Sequence, residues 1–349
     1  MCATSSDENV VDPAGGHTFE EVQTTVESEF EVQESFLDHG IPTFHVKHRE
    51  GTKEAFLRLV KRLESIELLP VLRQKEDKAI LQVLAKPPMP PDRNMVNVVL
   101  FFATLGTVFA SGYVQSADVL GAVLFTGAIM AILGSHEMGH KLLANKHEVE
   151  ATYPYFIPGI PPIGTFGAVI RQKELPPNRD ALFDIGFTGP ITGFVVATIV
   201  TIIGIQLSTR VNADTSSLLP VPLIFQIIVR LFPPSGTGEI ILLHPVAYAG
   251  WVGMIVTMLN LVPSGMFDGG HVARSVMGER AHQIVSYLGV ALLAIAGWWP
   301  MAVIALFFSS ARHPGPLDDV SKLSASRKGG ALLLAAIFVL SIVPIGLSF

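Results

Sequence analysis

The sequence is almost without cysteine: Cys2 is the single thiol among 349 residues, so neither an intramolecular disulfide nor a multi-thiolate metal site can form. Charge is scarce too. Asp, Glu, Lys and Arg make up only 15% of the chain, and mean hydropathy is +0.47. There is no extended basic, aromatic-interleaved stretch of the kind that reads nucleic acid. Two repeated halves, common in transporters, are also missing, and the first residues lack the charged-apolar-small order of a signal peptide. What the chain has instead is apolar runs of spanning length, which predict a polytopic α-helical membrane protein of about six or seven transmembrane helices.

The spanning candidates are residues 95–113, 119–143, 185–207, 244–266 and 331–347, with 284–308 long enough for one tilted span or for a tight pair turning at Gly297-Trp298-Trp299-Pro300, the pair favoured by Arg312, Lys322, Arg327 and Lys328 beyond it. Residues 218–232 are apolar but interrupted by Pro220, Pro222 and Arg230, so they read as re-entrant or interfacial. Lys141, Lys146, Arg171, Lys173 and Arg179 follow the second span, and Arg274 and Arg280 follow the fourth. The positive-inside rule puts these loops, and the N-terminal region one crossing earlier, on the cytosolic side of a cell membrane.

The first 93 residues differ in kind. Residues 1–38 are acidic and poor in core-forming side chains, the composition of a disordered or only partly ordered tail. Residues 39–93 read as a small soluble α/β module: a strand at 43–46, a helix over 52–66 with Phe56, Leu59, Val60 and Leu63 on one face, and strands near 69–73 and 79–84. Pro87, Pro88, Pro90 and Pro91 then give a stiff linker to the membrane domain, 94–349. His45 and His48 read as surface residues and the Asp318-Asp319 pair as solvated loop charge.

One group of residues does not fit a purely structural membrane helix. His136-Glu137-Met138-Gly139-His140 closes the apolar run from Val119 to Gly134. A helix sets His136 and His140 on one face, where two imidazoles can share a zinc ion, with Glu137 beside them to move a proton. Ionisable residues inside a span cost several kcal/mol and persist when they pair, ligate a metal or line a pathway. A polar helix end snorkelling to the interface is the plainer account. A catalytic zinc takes three protein ligands and keeps one open position. Asp268, in Asn260-Leu-Val-Pro263-Ser-Gly-Met-Phe-Asp268-Gly269-Gly270, lies at a helix end on the same side. Local sequence alone favours a capping Asp in a turn, since Asp-Gly is a common turn dipeptide.

The two motifs together resemble the site-2 protease family of intramembrane zinc metalloproteases, in an archaeal-type form with a soluble N-terminal region. His-Glu-x-x-His in one span and Asn-x-x-Pro-x-x-x-x-Asp-Gly in a later one match at every fixed position, over a core of about 119–270. The resemblance implies one zinc ion per chain on His136, His140 and Asp268, with Glu137 as catalytic acid/base, cleaving membrane-anchored proteins near or within the bilayer. Asn260, by its family position, hydrogen-bonds the substrate backbone or the developing oxyanion; a buried Asn joining two helices is the alternative. Gly164, Thr165, Phe166 and Gly167 lie in a strand-like stretch resembling the family's short β element beside the metal, which could bind an unwound substrate by edge pairing; a surface hairpin is the alternative. His271, one turn after Asp268, suits an outer-sphere partner or a polar interface residue. The alternatives from other classes are a divalent-metal transporter and an inactive protease-like membrane scaffold, against which the presence of Glu137 argues.

Overall fold

The computed structural model describes residues 10–11, 17–89, 91, 94–212, 219 and 221–343. The chain divides into two compact units, one of residues 1–90, 175–182 and 314–323, the other of residues 91–174, 183–313 and 324–349.

The first unit contains β1 (Val10–Val11), β2 (His17–Thr18), α1 (Phe19–Glu27), β3 (Val32–Asp38), β4 (Ile41–Val46), α2 (Thr52–Glu64), β5 (Leu68–Lys75) and β6 (Lys78–Ala85). β3, β4, β6 and β5 form, in that order, a four-stranded antiparallel sheet. Its core is large and apolar: Phe44, Leu72 and Leu81 from the strands meet Phe56, Leu59 and Leu63 from α2. Every member of the expected β-α-β-β pattern is there. The acidic stretch is ordered over residues 17–38. Thr18 caps α1 by accepting from Glu21 N while the Glu21 carboxylate accepts from Thr18 N, a reciprocal capping box. Val22 and Val26 are then buried and β3 joins the sheet edge. A few apolar residues at helical spacing therefore order residues 17–38; the remainder of the proposed tail, apart from Val10 and Val11, lies outside the described residues, as does Pro90 of the proline linker.

Two later segments complete this unit, which a single boundary near residue 93 did not foresee. Leu317 is buried in the sheet core. Leu72 N donates to Leu317 O at 2.9 Å, and Leu317 N donates to Pro176 O at 2.8 Å. Arg73 Nη1 donates to the carbonyls of Pro316 and Leu317 at 2.7 and 2.8 Å. Asp318 and Asp319 are accordingly not solvated charge. Asp318 is 0% exposed, its Oδ1 accepting from Val320 N and Ser321 N, while Asp319 pairs with Arg179.

The second unit is helical. It runs through α3 (Asn94–Ser116), α4 (Val119–Lys146), β7 (Tyr155–Pro158), β8 (Thr165–Val169), α5 (Arg179–Leu207, from residue 183 onward), β9 (Thr209–Val211), α6 (Leu223–Leu231), β10 (Ser235–Gly236), β11 (Ile240–Leu242), α7 (Pro245–Asn260), α8 (Asp268–Met277), α9 (Glu279–Ile295), α10 (Trp299–Ser310) and α11 (Ala325–Ser341). Among the described residues, α3, α4 and α5 are long and apolar enough to cross a membrane, and α7 and α10 are shorter apolar helices. The run 284–308 does turn at Gly297, which takes a positive φ of 85°, and among the described residues of 218–232 the one helix is the nine-residue α6.

Packing in this unit relies on absent side chains. A Cβ on Gly204 or Gly250 of the α5–α7 contact would overlap Ala247 or Thr201, and one on Gly112 would meet the Phe125 ring at 2.9 Å. Such small-residue contacts let helix backbones approach closely. Large apolar side chains point outward instead, among them Phe102, Ile199, Ile203, Leu288, Ile295 and Phe307. That inside-out distribution suits a hydrocarbon solvent.

Candidate metal centre

α4 supplies the first half of the site. Asp118 caps its N-terminus, accepting from Gly121 N at 2.8 Å, and the apolar run carries the helix to His136 and His140, one turn apart. Their ring centroids are 4.8 Å apart and their Nε2 atoms 3.1 Å apart. The second half comes from the α7–α8 connection. α7 ends at Asn260, residues 261–267 turn, and α8 starts at Asp268. A Cβ on Gly269 would overlap the Leu261 carbonyl and one on Gly270 that of Gly265. The two glycines after Asp268 thus let α8 seat against its own turn.

This turn aims Asp268 at the histidines. Its Oδ2 is 3.1 Å from His136 Nε2 and its Oδ1 is 3.3 Å from His140 Nε2. Ligand atoms of His136, His140 and Asp268 all lie within 4.8 Å of one another, and both histidines are buried. The protonation logic is informative. His140 Nδ1 lies 2.7 Å from Ile185 O, and a carbonyl only accepts, so Nδ1 carries the proton and a neutral His140 presents a bare Nε2. That lone pair faces a carboxylate oxygen and a second imidazole nitrogen. Acceptors converging in a buried site call for a cation, and two imidazoles with one carboxylate fit zinc with one position open.

Glu137 is buried beside this cluster yet contributes no atom to it. Its carboxylate accepts the backbone N–H of Ile170, just after β8. Asn260 Nδ2 lies 3.3 Å from His136 Nε2, so its amide borders the ligand cluster directly. His271 points elsewhere, with Nδ1 2.8 Å from His313 Nε2.

The four residues of the β element separate into two pairs. β8 pairs antiparallel with β7. Gly164 is packed on α3, where a Cβ would sit 2.5 Å from Thr107 O, and its carbonyl accepts from Thr107 Oγ1 at 2.7 Å. Thr165 is buried, its hydroxyl donating to Ile157 O at 2.8 Å and accepting from Gly167 N. These two shape the hairpin. Phe166 is 71% exposed and Gly167 has open space where a Cβ would be, so this pair remains available to a ligand.

Sequence reasoning located α5 as the span 185–207 but missed that it faces the histidines. On α5, a Cβ at Gly189 would overlap the His140 ring, one at Gly193 would lie 2.9 Å from His136 Nδ1, and one at Gly186 would lie 2.9 Å from His271 Cβ. Thr192 Oγ1 donates to Ser135 O at 2.9 Å. The signal was present as Gly186-x-x-Gly189-x-x-x-Gly193, small residues at helical spacing on one face. Asp184 was missed as well. It accepts from Arg327 and His147.

Residues 124–296 match the model of Peptidase family M50. The chain is 29% identical over 231 residues to "Probable zinc metalloprotease EGY1, chloroplastic" of Arabidopsis thaliana, covering 62% of this chain and 42% of that protein. It is 28% identical over 210 residues to "Probable zinc metalloprotease EGY2, chloroplastic" of Oryza sativa subsp. indica, covering 55% of this chain and 36% of that one. Against "Probable zinc metallopeptidase EGY3, chloroplastic" of Arabidopsis thaliana, it is 24% identical over 279 residues, covering 71% and 48%. The chain thus spans less than half the length of these curated relatives. No solved structure matches it. The segment that holds both motifs is the one that matches the Peptidase family M50 model, and the chain is similar there to these zinc metalloproteases.

Proposed function

We propose that the chain is an intramembrane zinc endopeptidase that cleaves membrane-anchored proteins near or within the bilayer. The observation that carries this reading is the convergence of His136, His140 and Asp268 with Glu137 buried beside them. His136, His140 and Asp268 would hold the ion. When bound, zinc supplies Lewis acidity for the scissile carbonyl and makes water a nucleophile near neutral pH. Glu137 takes the proton from the attacking water and returns it to the leaving amine. Asn260, against the ligand cluster, is placed to donate to the developing oxyanion.

A helix hides its peptide bonds in its own hydrogen bonds, so a transmembrane substrate has to unwind before cleavage. The outward pair Phe166 and Gly167 of β8 would receive the extended segment. Ile170, which follows β8, hydrogen-bonds Glu137, so strand capture and proton transfer occur on one contiguous stretch of backbone. In this reading the chain crosses the membrane about six or seven times, with the basic segments that follow α4 and α7, the catalytic end and the N-terminal unit all cytosolic.

The test is Glu137→Gln in the full chain, reconstituted in lipid vesicles with a model single-span substrate. Zinc content stays at the wild-type level and cleavage falls by about 10³-fold or more. Undiminished cleavage would overturn the assignment of Glu137, and metal uptake surviving the substitution without any proteolysis would indicate transport.

A further inference from the structure

We propose that Asp184 is a positioning residue for the metal centre: gripped by Arg327 and His147, it fixes α5 so that the adjacent Ile185 carbonyl orients His140. The inference rests on the zinc reading above. Arg327 Nε donates to Asp184 Oδ1 at 2.8 Å and its Nη2 to Oδ2 at 2.6 Å, a two-pronged grip. His147 Nε2 donates to Oδ2 at 2.9 Å. The three side chains are only 19% to 25% exposed, so water and salt screen them less than a surface pair.

Each partner belongs to a different helix. Asp184 lies on α5, His147 is the C-cap residue of α4, and Arg327 is in the first turn of α11. α11 also packs there, since a Cβ on Gly330 would sit 3.0 Å from the Phe183 ring. The carboxylate therefore ties the end of the histidine-bearing helix to the helix facing it.

The consequence for the metal site is one of register. Gly189 and Gly193 make room for the two imidazoles, but an absent side chain sets only how closely α5 may approach and pulls it to no position. Apolar contacts do not supply a register either, being non-directional. Directional bonds between α4 and α5 do. His140 Nδ1 donates to Ile185 O, Thr192 Oγ1 donates to Ser135 O, and His147 Nε2 donates to Asp184 Oδ2. These bonds bracket His136 and His140 on both sides. Sliding α5 by one residue moves it about 1.5 Å, enough to break the His140–Ile185 bond. His140 would then be free to change tautomer or ring orientation, and outer partners of ligating histidines typically govern metal affinity 10- to 100-fold.

A helix tie with no bearing on the metal would affect stability alone, so the test reads the metal. Full-length protein in nanodiscs is titrated with zinc against a chelator, and its cobalt-loaded form is followed by visible absorption. Asp184→Asn lowers zinc affinity about 10- to 100-fold and shifts the cobalt bands. His147→Ala weakens binding too, and His147→Gln, which keeps a donor, recovers most of it. Wild-type affinity and cobalt spectrum in Asp184→Asn would overturn the proposal. Should that variant fail to fold, equal wild-type affinity in both His147 variants would overturn it. Failure of the wild type to bind either metal would overturn the zinc reading beneath it.

Discussion

The sheet unit and the helical unit both bury apolar side chains, but they differ in how their elements meet and in what they turn outward. In the sheet unit, large apolar side chains fill the interior, with Phe44, Phe56, Leu59, Leu63, Leu72 and Leu81 all fully buried. In the helical unit, glycine and threonine lie at the helix contacts, while Phe102, Ile203, Leu288 and Phe307 face out. Water drives the first arrangement, because apolar area removed from it contributes about 25 cal/mol per Å². In a bilayer the tails are as apolar as leucine, so close backbone approach and hydrogen bonds must hold the helices instead. The lesson concerns where precision comes from. A sheet core tolerates small adjustments in shape, whereas the metal centre depends on contacts that one added methyl group destroys.

Several measurements can break or sharpen that contrast. The largest effect is expected at Gly189→Ala. One methyl group would overlap the His140 ring, so zinc affinity falls by at least about 100-fold. Metal content after dialysis checks this, and retention of full zinc occupancy would show that α5 can yield. In the sheet unit, removing far more matter should leave the metal alone. Phe56→Ala costs about 3–5 kcal/mol of that unit's stability, read as lost hydrogen-exchange protection over residues 41–85. Protection unchanged from wild type would contradict the core assignment.

Acid should act on the helical unit through His313. Burial, reinforced by the nearby charges of His271, His282 and Arg274, holds its imidazole down to about 2, well below the ordinary histidine value. The unfolded chain therefore takes up this proton first, starting near pH 6.5. Stability is fully present above that pH and is lost as pH falls from there toward 2. Thermal melting between pH 7 and 4 reads the slope, and His313→Gln should flatten it; an unchanged slope would show that His313 is not kept neutral by the fold. The smallest effect is expected at an outward residue. Leu288→Ala should shift melting in nanodiscs by about 0.5 kcal/mol or less, and a loss of several kcal/mol would mean that this face is packed against protein.

How much was legible in the sequence follows the same division. Helical spacing announces α2 almost to the residue, and alternation finds β4, β5 and β6, because burial in water writes its period into the chain. β3 hides among Glu, Gln and Ser, since an edge strand half in water needs little apolar character. Residues 175–178 and 314–323 carry no period; Pro176, Pro177, Pro314 and Pro316 make them read as loops, and their partners are each other and the edge of β5. At the site, His136, Glu137 and His140 follow from helix geometry, and Asp268 and Asn260 from the joint motif. Asp184, Gly189 and Gly193 do not, because hydropathy locates a span without fixing how it is rotated or slid against its neighbour. The roles of Gly164 and Thr165 were obscured for a related reason: packing on α3 and a local hydroxyl bond are contacts between distant elements or within a turn.

The central claim is that two imidazoles and one carboxylate from α4 and α8 hold a single zinc ion. X-ray absorption at the zinc edge of the full-length, zinc-loaded protein tests it most directly, with Asp268→Ala alongside. The account predicts one zinc per chain in the wild type, coordinated by two histidine nitrogens at about 2.0–2.1 Å with oxygen completing the shell, and loss of the metal in Asp268→Ala. An unaltered coordination shell and full zinc occupancy in Asp268→Ala would contradict it.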